Sequence, residues 1–121
     1  MTRIYLDYIQ DILDSIRDIE SFIRGMPFED FKKDRKTINA VVRSIEVIGE
    51  TSKKIPAVVR ARYSDVPWKK MAGMRAKLIH EYFGIDLGIL WKVSREEIKT
   101  LRSPMKRILR DLKRSDCWER R

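Results

Sequence analysis

Apolar residues recur at three- and four-residue steps from the start of the chain, at Ile4, Tyr5, Tyr8, Ile9, Ile12, Ile16, Ile19 and Ile23. At about 100° per residue they form one stripe, which predicts an amphipathic helix over about 4–24 that ends near Gly25. Its other face carries Asp7, Asp11, Asp14 and Asp18. Successive turns spread these carboxylates along a straight exposed face, so they read as a solvated acidic stripe rather than a metal cluster. Pro27 suits the first turn of a short segment, PFEDF, that returns the chain toward a second long helix.

That second helix is predicted over roughly 35–54 from the stripe Ile38, Val41, Val42, Ile45, Ile48, Ile55, Val58 and Val59. A weaker extension reaches 62, with Pro56 bending or interrupting it through its missing N–H. Pro67 and Trp68 open a third helix that runs through about Tyr82, with Met71, Met74, Leu78 and either Ile79 or Tyr82 turned inward, and Gly84 closes it. The remainder is helical again. Ser94 and Glu97 have capping-box spacing, which predicts a break near Ser94. Ile98, Leu101, Met105, Ile108, Leu109 and Leu112 form its core side, and Pro104 argues against a straight, continuous rod. No segment alternates as a strand does. The pattern predicts an all-α protein, an up-and-down bundle of four to five helices, with one domain over 1–114 and a basic, polar tail over 115–121.

With 121 residues the chain has room for one modest core. No run of about 18 apolar residues occurs, and acids interrupt the apolar pattern at the N-terminus, so the expectation is a cytoplasmic protein with no membrane span. The single Cys117 can form no internal disulfide and has no partners for a zinc site. The net charge of +9 changes the picture more, because it is uneven. Residues 1–50 hold 8 Lys/Arg against 10 Asp/Glu, whereas residues 51–121 hold 19 against 8. That asymmetry suits a polyanion such as RNA or an acidic protein chain, and charge alone does not separate the two. Lys53, Lys54, Arg60, Arg62, Lys69 and Lys70 are the basic clusters nearest the candidate chemistry.

The candidate chemistry centres on GMRAKLIHEYFG, residues 73–84, which holds the only histidine. Arg75 and Tyr82, seven apart, would share one stripe of a continuous helix. His80, five after Arg75, would be rotated by about 140° from it, so a straight helix does not put both side chains on one phosphate. A distortion at the end of the third helix would close the gap, and so would a two-fold dimer that sets one chain's arginine beside the other's histidine. An imidazole can act as general base or acid near neutrality, and a guanidinium can stabilise a phosphorane-like transition state. Together they suit RNA cleavage, in which a 2′-hydroxyl attacks the adjacent phosphorus without any metal or other cofactor. The same histidine could instead cap a helix end.

The whole chain resembles the HepT-like toxins of the HEPN superfamily. The likeness is carried by YLDYIQDILDSIRDIESFI, by AVVRSIEVIGET at 40–51, by VPWKKMAGMRAKLIHEYFGID at 66–86 and by Leu90–Trp91. The Arg-x4-His-x-Tyr signature is met by Arg75, His80 and Tyr82. The resemblance implies an all-helical homodimer acting as a metal-independent endoribonuclease, with Arg75 and His80 catalytic at the dimer cleft. It also implies a nucleotidyltransferase antitoxin that transfers AMP to Tyr82. Ala76 stands where the family usually has a polar residue, most often Asn, which leaves room for an alternative: a catalytically weak helical subunit that binds a nucleotidyltransferase. Arg43, Glu46 and Glu50 are candidate support residues, able to pair with Arg75 or with one another. Lys53, Lys54, Lys69 and Lys70 are candidate RNA contacts. Trp68 and Trp91 are assigned to packing.

Overall fold

The computed structural model describes the backbone of residues 2–80 and 84–119, and the side chains of 5–76 and 84–114. Helix α1 spans Thr2–Ile23, and its stripe residues Ile9, Ile12, Ile16 and Ile19 are fully buried. The chain leaves it through Gly25 at φ 71°, a left-handed conformation that costs glycine little. The acidic face stays at the surface, where Asp14 accepts hydrogen bonds from Gln10 (2.9 Å) and Arg17 (2.6 Å). Helix α2, Phe28–Phe31, is one turn long. It buries Phe31 against the Trp91 ring at 4.8 Å, an attractive tilted aromatic pair.

Helix α3 spans Arg35–Lys54, and the Asp34 side chain caps it by accepting the Thr37 N–H at 3.0 Å. Its broadest contact is with α1, whose isoleucines meet Val41, Ile45 and Ile48. Pro56 then interrupts the chain, and α4, Ala57–Arg62, starts a new helical phase. That restart overturns one expectation, because Val58 is 74 % exposed while Val59 points inward.

Helix α5, Trp68–Ala72, and helix α6, Met74–Leu78, stand where one longer helix was expected through Tyr82. The helix ends at Leu78, and the backbone becomes extended as β1, Ile79–His80. This strand pairs antiparallel with β2, Gly84–Ile85, in the register Ile79 with Ile85 and His80 with Gly84. Gly84, at φ 77°, therefore begins a two-residue strand instead of closing a helix. This is the sole extended pairing among the described residues, and the protein is all-α otherwise.

Helix α7, Leu87–Lys92, passes through a π-helical turn, Val93–Glu97, into α8, Lys99–Glu119. The break expected near Ser94 takes the form of this π-helical turn, and not of a capped helix start. Ser94 is buried and its hydroxyl donates back to the Leu90 carbonyl at 2.7 Å, so it supports the rod from within and caps nothing. Pro104 lies inside α8, which continues past it, against the expectation of an interrupted rod. The stretch read as a tail from 115 begins inside this helix. Ile98, Leu101, Met105, Ile108 and Leu112 close the core over α1, and Leu109 sits at its edge. The side chains of Ile4, Leu78, Ile79, His80 and Cys117 lie outside the described residues, as does Tyr82 entirely.

Two polar links tether the α4–α5 connection to α8. The buried Tyr63 donates its hydroxyl to Asp111 at 2.9 Å, and Arg107 donates to both oxygens of Asp65 at 2.9 and 2.8 Å. The Arg107 hydrogen bond holds the Asp65 carboxyl below its ordinary range, and the Thr37 N–H does the same for Asp34. Carboxyls lowered in this way stabilise the fold while ionised, above the ordinary carboxylate range, and that contribution disappears as pH falls through their folded-state values. The double variant Asp34→Asn, Asp65→Asn should therefore unfold at a lower temperature at neutral pH. Its midpoint should also fall less steeply than wild type below about pH 4. Parallel midpoint-against-pH curves for the two proteins would contradict this.

Candidate active site

Arg75 is the second residue of α6, and the placement of that short helix begins with two methionines. Met71 and Met74 are buried, so α5 and α6 are pinned to the core while Gly73, Arg75 and Ala76 are exposed. Gly73, between the two helices, ends α5 and lets the backbone restart. On the other side of the contact stands Gly49 of α3. A Cβ built there would meet the Met71 carbonyl oxygen at 3.4 Å and that of Ala72 at 3.5 Å, so α3 approaches the α5 backbone as closely as the absence of a side chain permits.

This close approach brings Glu46, one turn before Gly49, to Arg75. Glu46 Oε1 lies 3.4 Å from Arg75 Nε, and its Oε2 lies 3.7 Å from a terminal nitrogen of Arg43. Glu46 is the sheltered member, with its side chain 25 % exposed against 61 % for Arg75. Because Arg75 is held through Nε, the two terminal nitrogens of its fork can face a phosphate. The ion pair is half in solvent and adds little to stability, so its consequence is orientation. Glu50, one turn further along α3, is exposed and joins no ion pair among the described residues.

His80 follows in β1, where its backbone is extended and paired with Gly84. The 140° separation expected of Arg75 and His80 on a continuous helix therefore does not apply. A distortion at the end of this helix, one of the two routes expected from the spacing, is present as the change from helix to strand at Ile79. Ala76 is exposed on α6, so its missing polar group leaves no buried partner behind it. Among the described residues no group of three or more His, Cys, Asp or Glu is placed to hold a metal ion.

The four basic residues singled out as RNA contacts divide. Lys53, Lys69 and Lys70 line one open groove of about 960 Å³ formed by the end of α3, α4 and α5. Lys54 is elsewhere, its ammonium 5.7 Å from the centre of the Tyr8 ring. Lys70 is partly occupied, 2.9 Å from Glu97 of the π turn. Both tryptophans pack. Trp68 is buried and donates its Nε1–H to the Tyr63 carbonyl at 3.1 Å, while Trp91 packs tilted against Phe28 and Phe31 with Arg95 over its ring. Sequence reasoning passed over Gly49, although a glycine in the middle of an amphipathic helix signals close backbone approach. The Lys70–Glu97 link joins elements distant in sequence and left no local pattern to find.

Residues 12–108 match the family described as ribonuclease HepT-like. The chain is 45 % identical over 108 residues to a probable ribonuclease HepT of Thermococcus cleftensis, covering 89 % of this chain and 98 % of that one. A putative RNase of Methanocaldococcus jannaschii is 40 % identical over 109 residues, 90 % of each chain. One from Caldanaerobacter subterraneus is 45 % identical over 102 residues, covering 84 % of this chain and 91 % of the relative. No solved structure matches the chain significantly.

Proposed function

The chain belongs to the HepT-like ribonuclease family, and from that premise we propose that it is the toxin of a toxin–antitoxin pair, an endoribonuclease that cuts RNA without a metal. The observation that carries the reading is the Glu46–Arg75 contact, which holds Nε and leaves the terminal nitrogens of Arg75 without an ion pair among the described residues, one turn before the strand bearing His80. In the proposed reaction His80 takes the proton of the substrate 2′-hydroxyl as that oxygen attacks the adjacent phosphorus. Arg75 stabilises the charge that builds on the non-bridging oxygens. The 5′-oxygen leaves and takes a proton from water, and the products are a 2′,3′-cyclic phosphate and a 5′-hydroxyl end.

The active form is a homodimer in this proposal, with Arg75 of one chain and His80 of the other at a shared cleft. A nucleotidyltransferase partner regulates it. The Tyr82 phenolate attacks the α-phosphorus of ATP, pyrophosphate leaves, and the attached AMP places charge and bulk where substrate phosphate binds. Purified protein with labelled total RNA in excess EDTA should yield cyclic phosphate and 5′-hydroxyl ends. The nucleotidyltransferase with ATP should abolish that cleavage and add one AMP to the peptide containing Tyr82. A folded, unmodified chain that cuts no RNA would overturn the enzymatic reading in favour of a binding subunit.

A further inference from the structure

The groove beside the candidate site has features that the cleavage chemistry does not use. Lys53 enters it from the last turn of α3, Arg60 from α4 and Lys69 from α5, and Ser64 adds a hydroxyl to its wall. Lys53, Arg60 and Lys69 are exposed and form no ion pair among the described residues, unlike Lys70, which Glu97 holds. Three unpaired cations from three separate helices thus converge on one depression.

The lining of the groove extends to the end of α5. Its wall includes Ala72, three residues before Arg75, and the Ala72 carbonyl, like that of Met71, lies against Gly49. On α3, Glu46 and Lys53 are seven apart, so they lie on nearly one stripe with a separation of about 10 Å along the axis. Lys53 thus stands about two helical turns along α3 from the residue that holds Arg75.

We propose that this groove is the track for a single RNA strand, with Lys53, Arg60 and Lys69 each holding one backbone phosphate on one side of the scissile phosphate at Arg75. The proposal rests on the ribonuclease reading for its direction, since Arg75 marks the end of the track. A single strand is the fitting occupant because in-line attack by a 2′-hydroxyl needs a backbone free to rotate, which a stacked duplex restrains. Recognition by these three residues is through phosphate charge, so it is independent of base sequence.

The test is equilibrium binding of a 2′-O-methyl RNA oligonucleotide, which cannot be cut, across a salt series. Wild type is compared with the triple variant Lys53→Gln, Arg60→Gln, Lys69→Gln and with a control that removes equal charge from α8, Lys106→Gln, Arg110→Gln, Lys113→Gln. The groove variant should bind about tenfold to a hundredfold more weakly at low salt, and its log–log salt slope should drop by about 2, the value for three phosphates on a single strand. On cleavable RNA it should show a raised KM with kcat near wild type. Unchanged affinity, or an equal loss in the α8 control, overturns the groove even where wild type cuts RNA. Binding through the groove by a wild type that cuts nothing supports the track while removing the ribonuclease reading.

Discussion

Arg75→Ala and His80→Ala should each reduce RNA cleavage by about 10²–10⁴-fold, the range associated with losing a general base or a charge-stabilising donor. Neither should unfold the protein. Arg75 is largely exposed and its ion pair with Glu46 is half in water, so its loss should cost less than about 1 kcal/mol. The informative experiment mixes the two inactive variants. If the site takes its arginine from one chain and its histidine from the partner, a mixed dimer carries one intact site and one doubly damaged site. Random mixing should then restore about a quarter of wild-type activity. If both groups come from one chain, the mixture stays inactive, and the composite site is ruled out while the catalytic roles stand. Retained cleavage in both single variants would remove the proposed mechanism. A purely structural role for His80 would show as a lower melting temperature with cleavage per folded molecule preserved.

Gly49→Val should have the next largest effect, and it should act on stability and activity together. A Cβ at this position just fits against the Met71 and Ala72 carbonyl oxygens, so Gly49→Ala should be close to neutral, the contact offset by better helix propensity. Valine adds two methyl groups where the facing atoms are backbone and cannot rotate away. Helix α5 must move off α3, costing about 1–3 kcal/mol. The same movement separates Glu46 from Arg75, so cleavage should fall at least tenfold even at temperatures where the variant is fully folded. Denaturation curves beside single-turnover rates would check this, and a destabilised variant with wild-type rates would show that the α3–α5 approach does not position Arg75.

The elements differ in how much of them was legible beforehand, for identifiable reasons. Helices α1 and α3 were readable nearly to the residue because each is long, strongly two-faced and ended by a local signal: Gly25 after α1, and Asp34 before α3. Ser94 shows the opposite case. Its spacing to Glu97 fits an N-cap, but the buried surroundings leave the hydroxyl no solvent, and the Leu90 carbonyl one turn back is the acceptor within reach. Val58 was misassigned because the stripe was carried across Pro56, where the helical phase restarts. The change to a strand at Ile79 was invisible to periodicity, since Leu78, Ile79 and the following residues satisfy a helical pattern as well as a short extended one.

In the candidate site, the sequence alone determined the chemical inventory: an arginine, one histidine and a tyrosine at family spacing, a basic second half, and carboxylates on the second helix. Residue type and short-range spacing are local properties, and so is the amphipathic period that made the chain all-α. Only the tertiary structure decided which of the candidates meet. Glu46 reaches Arg75 because Gly49 lets two helices close to backbone contact, and Lys53, Arg60 and Lys69 share a groove while Lys54 turns to Tyr8. Such meetings depend on how three helices cross, which is set by packing summed over the whole core rather than by any one segment.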